Sequence, residues 1–185
     1  AAYAASPAWD RTPASERGRV LETVANLLEQ NREELFALCI REAGKTLGDA
    51  VAEVREAVDF CRYYAQQAQK LFSVPLSMPG VTGERNELSL HGRGVFACIS
   101  PWNFPLAIFI GQISAALAAG NAVIAKPAEQ TSLIATRVVS LMFEAGVPAE
   151  VLHLLPGDGA EIGGVMIADP RIAGVAFTGS LAPAQ

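Results

Sequence analysis

Hydrophobic residues recur at helical spacing through the first 77 residues of the chain. A first helix is predicted to be capped by Thr12 and to begin at Pro13. Its apolar face is formed by four aliphatic residues: Val20, Val24, Leu27 and Leu28. A second helix is predicted to start with a capping box at Asn31–Glu34 and to end at Gly44, and a third follows the apolar period of Val51–Ala68.

The pattern changes after a loop over residues 78–83. The run "RNELSLHGRGVFACIS" predicts two extended segments joined at "HGRG", where Gly92 and Gly94 provide the turn. Four apolar segments then alternate with helical patterns: "GVFACI", "AVIAKP", "EVLHLLPG" and "IAGVAFTGS". Segments that are apolar throughout are typical of parallel strands covered on both faces. We therefore predict an α/β protein, with amino-terminal helices (1–77), then a hairpin and a doubly wound, Rossmann-like parallel sheet (78–185).

Composition narrows the class of protein. The 185 residues are 51% hydrophobic and 18% charged, which predicts a folded core. The formal net charge of −5 indicates no attraction to nucleic acid or to anionic lipid. The apolar stretch Leu106–Ala125 has the length of a membrane span, but Gly120 and Asn121 divide it, so we interpret it as a buried helix, a turn and a buried strand.

The cysteines and histidines offer little chemistry. Cys39, Cys61 and Cys98 are odd in number, widely spaced and set in apolar patterns, which predicts reduced, packed thiols in a cytoplasmic protein. His91 lies at a turn and His153 in an apolar strand, and neither has a second ligand nearby, so we expect no metal site.

Polar and small residues follow each predicted strand, and ligands of such sheets bind at the carboxyl ends of the strands. Trp102 and Asn103 provide an aromatic ring and a carboxamide, Lys126 and Glu129 a cation and a hydrogen-bond acceptor. Thr178–Ser180 offers hydroxyls and N–H groups to an anion. The run "GDGAEIG" is one residue longer than the dinucleotide fingerprint and follows the third strand, so alone it fits a packing turn equally well. Together, the four strand ends predict a nucleotide pocket.

Several of these motifs resemble one family. "GVFACISPWNFPLAIFIGQISAALAAGNAVIAKPAEQTSLIA" is similar to the cofactor-binding segment of the aldehyde dehydrogenase superfamily, and "PGDGAEIGG" and "VAFTGS" match later family segments in order. The resemblance runs from about Ala8 to Ser180. "ISPWNFPLAIFIGQ" with "RNELSLHGRG" most closely resembles the pyrroline-5-carboxylate dehydrogenase domain of the bifunctional proline utilization A flavoproteins.

The resemblance implies NAD-dependent oxidation of glutamate semialdehyde to glutamate. Asn103 would donate its amide N–H to the oxyanion that forms when a cysteine thiolate attacks the aldehyde. Lys126 and Glu129 match the pair that holds the adenosine ribose; Glu129 favours NAD because it would repel a 2′-phosphate, whereas the charge of Lys126 favours NADP. The implied cofactor contacts are Ile99, Ser100, Pro101, Trp102, Lys126, Glu129, Gly159, Gly163, Thr178, Gly179 and Ser180. FAD is expected only if a proline dehydrogenase domain lies upstream.

The chain departs from the family pattern at its end. After "FTGS" it reads "LAPAQ", which leaves no room for the expected helix and weakens the predicted pyrophosphate site. The family's nucleophilic Cys and general-base Glu lie further downstream, so we expect this chain alone to be inactive and its partner to be the missing catalytic half. The alternative is a non-catalytic module that binds a nucleotide or another domain. A homo-oligomer is also possible, with the "RNELSLHGRG" hairpin as a partner-contacting arm or as a plain surface hairpin.

Overall fold

The computed structural model describes residues 1–180, and residues 181–185, which carry the "LAPAQ" departure, lie outside the described part. The amino-terminal part consists of four helices: α1 (Ala2–Arg11), α2 (Ala14–Gln30), α3 (Arg32–Ala43) and α4 (Leu47–Phe72). Helix α1 was not predicted. Its buried residues, Ala2, Ser6 and Trp9, have helical spacing, but two of them are small or polar and give no hydrophobic signal.

The predicted cap at Thr12 is wrong. Thr12 ends α1 instead of starting α2, and its hydroxyl donates to the carbonyl of Ala8 at 3.2 Å. Pro13 is the residue that precedes α2, and no side chain caps that helix. The short α1 therefore takes the hydroxyl that the sequence pattern assigned to the next helix.

The predicted capping box at Asn31–Glu34 does not form either. The amide of Asn31 donates to the carbonyl of Leu27 at 2.8 Å, and its oxygen accepts from Arg137 at 2.9 Å. The distant Arg137 thus occupies the oxygen that a cap would need. The predicted end at Gly44 is confirmed by its left-handed conformation, with φ of 64°.

A two-stranded antiparallel ribbon follows the helices. It consists of β1 (Leu76–Met78) and β2 (Asn86–Leu88), with Leu76 opposite Leu88. The predicted pairing across "HGRG" is therefore wrong, since β2 pairs with the strand before it. The backbone of "HGRG" is bound elsewhere, with the N–H of Gly92 donating to Asp10 at 2.5 Å.

The predicted parallel sheet is confirmed, with strand order β5-β4-β3-β6. The strands and the helices that connect them are, in chain order, β3 (Val95–Ile99), α5 (Ala107–Ala118), β4 (Ala122–Lys126), α6 (Ser132–Glu144), β5 (Leu152–Leu154), α7 (Gly164–Ala168) and β6 (Ile172–Phe177). Strands β4 and β5 are added in turn on one side of β3, and the chain then crosses back so that β6 pairs with the other side of β3. The strand order therefore reverses between β3 and β6, which is where ligands of such sheets bind.

The helical part holds both ends of α5. Glu53 of α4 accepts from the N–H groups of Leu106, which precedes α5, and of Ala107, its first residue, and Arg17 of α2 donates to the carbonyl of Ala118 at 3.0 Å. Trp9 of α1 adds a hydrogen bond to the carbonyl of Leu117 at 3.0 Å. The stretch from 106 to 125 is a helix, a turn and a strand, as predicted, and within residues 1–180 no helix is long and apolar enough to cross a membrane.

Candidate functional site

The carboxyl ends of three strands meet at one edge of the sheet. Ile99 at the end of β3 lies opposite Lys126 of β4 and Phe177 of β6. The pairing continues one step further, because the N–H of Ser100 donates to Lys126 at 3.2 Å and that of Thr178 to Ile99 at 3.0 Å. Neighbouring strands lie about 4.8 Å apart. The sequence-predicted residues that follow these strands are therefore brought to one edge.

Lys126 and Glu129 form an ion pair at this edge, with 3.1 Å between Nζ and Oε1. The ammonium also donates to the carbonyl of Pro127 at 3.0 Å, and its side chain is only 4% exposed. The carboxylate is 40% exposed and accepts from the N–H of Gly159 at 2.5 Å. Lys126, Glu129 and Gly159 thus form one hydrogen-bonded cluster that joins β4 to the segment after β5.

This cluster stabilises the ionised form of Glu129. Partial burial acts to raise the pKa of Glu129, but hydrogen bonds from its own backbone, from Lys126 and from Gly159, together with the charge of Lys126, hold the pKa below its ordinary value. The site therefore presents a partly exposed carboxylate whose remaining lone pairs can accept hydrogen bonds from a ligand.

The glycine-rich segment after β5 forms a tight turn. Gly157 adopts φ of 150°, a conformation that side chains rarely permit. Asp158 caps the following turn by accepting from the N–H of Ala160 at 2.7 Å, and Gly159–Gly163 is π-helical. A Cβ at Gly159 would lie 3.4 Å from Oε1 of Glu129. The absence of a side chain there leaves the space beside the carboxylate open, whereas a Cβ at Gly163 would meet no atom within 4 Å.

Gln112 of α5 bridges the strand ends at the point where the strand order reverses. Its amide donates to the carbonyl of Ile99 and to the hydroxyl of Thr178, both at 3.1 Å, and its buried oxygen has no partner within residues 1–180. Sequence reasoning missed Gln112. The available signal was a long polar side chain in the otherwise apolar run "AIFIGQISAALA".

The remaining predicted residues lie on the turns that follow β3 and β6. Ser100 is buried and Pro101 half-buried, whereas Trp102 and Asn103 are exposed. The predicted anion-binding segment Thr178–Ser180 is exposed at the end of β6. The turn after β3 therefore exposes the indole of Trp102 and the carboxamide of Asn103 at the surface.

The cysteines are free and buried, as predicted. Burial raises the pKa of Cys39, Cys61 and Cys98 to about 12 in each case. A thiol with such a pKa carries almost no thiolate at neutral pH and is a poor nucleophile. In the described part of the chain, no group of three or more potential ligands that could hold a metal ion is found among the His, Cys, Asp and Glu residues.

An apolar groove of about 420 Å³ lies between α4, α5 and β6. Among the predicted site residues only Thr178 lines it, and most of its walls are aromatic rings and alanines such as Phe60, Tyr64 and Ala115. Such walls offer few partners for ribose or phosphate, so the strand-end edge remains the candidate nucleotide site.

A profile of the aldehyde dehydrogenase family matches residues 1–185, and the chain belongs to this family. Among its relatives, bifunctional protein PutA of Salmonella typhimurium is 51% identical over 95% of the chain, and 1-pyrroline-5-carboxylate dehydrogenase of Anoxybacillus flavithermus is 42% identical over 93%. The chain spans 12% and 33% of the lengths of these two proteins.

Solved structures give the same result. A variant of proline utilization A from Bradyrhizobium japonicum superposes with a TM-score of 0.97 at 57% identity, covering 99% of this chain and 19% of that one. The 1-pyrroline-5-carboxylate dehydrogenase from Thermus with bound NAD has a TM-score of 0.95 at 40% identity, covering 98% of this chain and 35% of that one. The expected fold and family are therefore confirmed.

Proposed function

We propose that the protein containing this chain oxidises L-glutamate 5-semialdehyde, derived from pyrroline-5-carboxylate, to glutamate, with NAD as the hydride acceptor. The proposal is supported by the similarity to PutA and to 1-pyrroline-5-carboxylate dehydrogenases along nearly the whole chain. It is also supported by the cluster of Lys126, Glu129 and Gly159, which is the observation that carries it. This chain contributes cofactor binding and one catalytic group, and the nucleophile and general base come from the downstream half.

Asn103 is the proposed catalytic residue of this chain. When a thiolate forms its bond to the aldehyde carbon, the carbonyl π electrons move to oxygen, and the Asn103 carboxamide donates an N–H to that oxyanion. A neutral amide suits this task because it donates without giving up its proton. Comparable donors contribute about 3 kcal/mol of transition-state stabilisation. The exposure of Asn103 on the turn after β3 is compatible with this role.

The strand-end residues have the chemistry that NAD requires. Glu129 accepts hydrogen bonds from the adenosine ribose hydroxyls beside the open space at Gly159. The charge of Lys126 is neutralised by Glu129, and its ammonium also donates to a backbone carbonyl. Lys126 therefore attracts a 2′-phosphate only weakly, and NAD is preferred over NADP. Thr178, Gly179 and Ser180 bind the pyrophosphate. Ile99, Ser100, Pro101, Trp102 and Gly163 complete the proposed contacts. When bound, NAD would accept the hydride from the substrate.

The test uses the natural reading frame that encodes these 185 residues, expressed in full. We expect NADH formation from glutamate semialdehyde, with NADP a poorer acceptor. Asn103→Ala should lower kcat about 100-fold or more while the Kd for NAD changes little. A folded protein that forms no NADH contradicts the proposed activity, and an equal loss of NAD affinity contradicts the role of Asn103. A reading frame that ends at residue 185 favours the non-catalytic module instead.

The proposed partners are the downstream catalytic half and a second copy of the protein. The "RNELSLHGRG" segment, which includes β2, exposes apolar side chains, with Leu88 51% and Leu90 44% exposed, as an oligomer contact does. Leu88→Ser with Leu90→Ser should lower the mass measured by light scattering; an unchanged mass contradicts this contact. The free, buried cysteines fit the expected cytoplasmic location. FAD enters only through an upstream proline dehydrogenase domain.

A further inference from the structure

The turn that carries Asn103 is held by a buried carboxylate from the helical part. Glu53 of α4 is 2% exposed, and its Oε2 accepts from the N–H groups of Leu106 at 3.1 Å and Ala107 at 2.8 Å. These donors lie at the start of α5, where backbone N–H groups have no partner within the helix. A carboxylate at this end also interacts favourably with the helix dipole. Glu53 therefore fixes the backbone three residues after Asn103.

Lys45 connects the same carboxylate to the residue next to Asn103. Its Nζ lies 3.0 Å from Oε1 of Glu53 and 4.3 Å from the centroid of the Phe104 ring. The Lys45 side chain is 14% exposed and Phe104 is 43% exposed, so a sheltered ammonium contacts a partly exposed ring in a cation–π interaction. Lys45 thus holds Phe104 while Glu53 holds the start of α5.

The other side of the turn is held by the sheet, through the hydrogen bond from the N–H of Ser100 to Lys126 at 3.2 Å. Asn103 lies between these two attachments and is itself exposed. The direction of its carboxamide therefore depends on where the flanking backbone is held.

Stability alone is a weak reason for a buried pair of this kind. Burying a Lys–Glu pair costs desolvation free energy, and apolar residues of similar volume often replace such pairs without loss of stability. An apolar side chain could not, however, direct two adjacent backbone N–H groups and an aromatic ring at once. The arrangement points to precise placement of the turn, and a displacement of about 1 Å at a reacting centre can cost about 100-fold in rate.

We propose that Lys45 and Glu53 are positioning residues for Asn103, which place its carboxamide for the oxyanion. The proposal rests on the function proposed above. Neither residue is proposed to touch the reacting atoms; Glu53 acts through the backbone of Leu106 and Ala107, and Lys45 acts through the ring of Phe104.

The experiment uses the natural reading frame expressed in full. Glu53→Gln keeps an oxygen that accepts from Leu106 and Ala107 but removes the charge that holds Lys45. Lys45→Met keeps the aliphatic stem and removes the cation from Phe104. We expect each variant to lower kcat about tenfold with the KM for NAD close to wild type. Each variant leaves one largely buried charge unpaired and therefore lowers the melting temperature, so kcat is measured where circular dichroism shows the variant to be folded. Asp59→Asn, an exposed acid on the same helix, is the matched control and should change nothing.

A double-mutant cycle separates positioning from general structural damage. In an Asn103→Ala background, Glu53→Gln and Lys45→Met should cause no further loss of kcat, because the group they position is gone. A further tenfold loss in that background overturns the proposal, as does a fall in kcat that is matched by an equal fall in NAD affinity.

A second readout does not depend on activity. The side-chain amide resonance of Asn103, assigned by its absence in Asn103→Ala, should shift in ¹⁵N NMR spectra of both positioning variants and not in Asp59→Asn. An unchanged resonance in Lys45→Met overturns the proposal. If the wild-type protein forms no NADH but both variants show these shifts, the proposed function is contradicted and the positioning of Asn103 by Lys45 and Glu53 still stands.

Discussion

Two Lys–Glu pairs in this chain use the same chemistry with opposite exposure. In the pair formed by Lys45 and Glu53 the acid is the buried member, at 2% exposure. In the pair formed by Lys126 and Glu129 the cation is buried and the acid is 40% exposed. Each carboxylate also accepts from the backbone of another element: Glu53 from the start of α5, and Glu129 from Gly159.

The difference indicates what each carboxylate is available to bind. Glu53 is buried: its Oε2 accepts from two N–H groups, and its Oε1 lies 3.0 Å from the Lys45 ammonium but accepts no hydrogen bond within residues 1–180, so Glu53 can only order its surroundings. Glu129 has its contacts on Oε1, and its exposed part can meet a ligand. Exposure of the acid, rather than the presence of an ion pair, separates a structural pair from a candidate binding pair.

Removing the buried acid should give the largest effect on stability. Glu53→Ala leaves two N–H groups and the Lys45 ammonium without their partner in a buried setting. We expect the free energy of unfolding, measured by urea titration, to fall by about 3–5 kcal/mol. Asp59→Ala on the same helix should stay within about 0.5 kcal/mol of wild type. A loss below about 1 kcal/mol for Glu53→Ala would mean that the two pairs do not differ as described.

Changing the exposed acid should affect binding more than stability. Glu129→Gln removes the charge that faces the proposed ribose, and hydrogen bonds to charged groups contribute about 1.5–3 kcal/mol. We expect the Kd for NAD, measured by calorimetry on the full protein, to rise about tenfold or more, and the unfolding free energy to fall by less than about 1 kcal/mol. The exposed Glu150→Gln serves as the control. A Kd equal to that of the control would remove Glu129 from the site.

The strand ends were predictable because their signals are local. Apolar runs ending in Lys126 or followed by Thr178 predict parallel strands, and parallel strands bring their ends to one edge whatever the details of packing. The contact between Glu53 and Leu106 spans 53 positions of the chain, and the contact between Gln112 and Thr178 spans 66. No local pattern encodes either contact. A usable hint existed for Glu53, which stands three residues after Ala50 and four before Ala57 on the buried face of α4.

The errors at the helix starts have the same origin. Thr12 and Asn31 are good capping residues by type, but in the fold their polar atoms bind Ala8, Leu27 and Arg137. The β1–β2 ribbon was assigned to the wrong strands because turn residues occur in both "MPGVTG" and "HGRG". In the fold, Asp10 binds the backbone of Gly92 in "HGRG", a contact across 82 positions that no local pattern encodes.

A smaller effect is expected from filling the space beside Glu129. Gly159→Ala would place a Cβ 3.4 Å from the carboxylate, where the proposed ribose approaches. We expect the Kd for NAD to rise a few-fold with little change in melting temperature. Gly164→Ala, whose Cβ would meet nothing within 4 Å, is the control. If both variants bind NAD like wild type, the ligand does not use this space.

The smallest effect concerns pH. Because the pKa of Glu129 is held below its ordinary value in the folded protein, its stabilising contribution is complete above the unfolded-state pKa and is lost as the pH falls through the folded value. NAD affinity should therefore persist to a pH at which an ordinary glutamate is already protonated. Titrating the Kd of the full protein while circular dichroism shows it to be folded checks this, with Glu129→Gln expected to be flat. A decline already near neutral pH would contradict the ion pair.

The attachment of α5 at both ends also bears on how this segment could be reused in other proteins. Trp9 and Arg17 secure its last turn and Glu53 its first, all from helices that precede the sheet in the chain. A designer who transplanted only the strands and their crossover helices would leave those terminal amides and carbonyls to solvent. A transferable segment must therefore include the helices that precede the sheet, because Trp9, Arg17 and Glu53 bind the backbone groups at the two ends of α5.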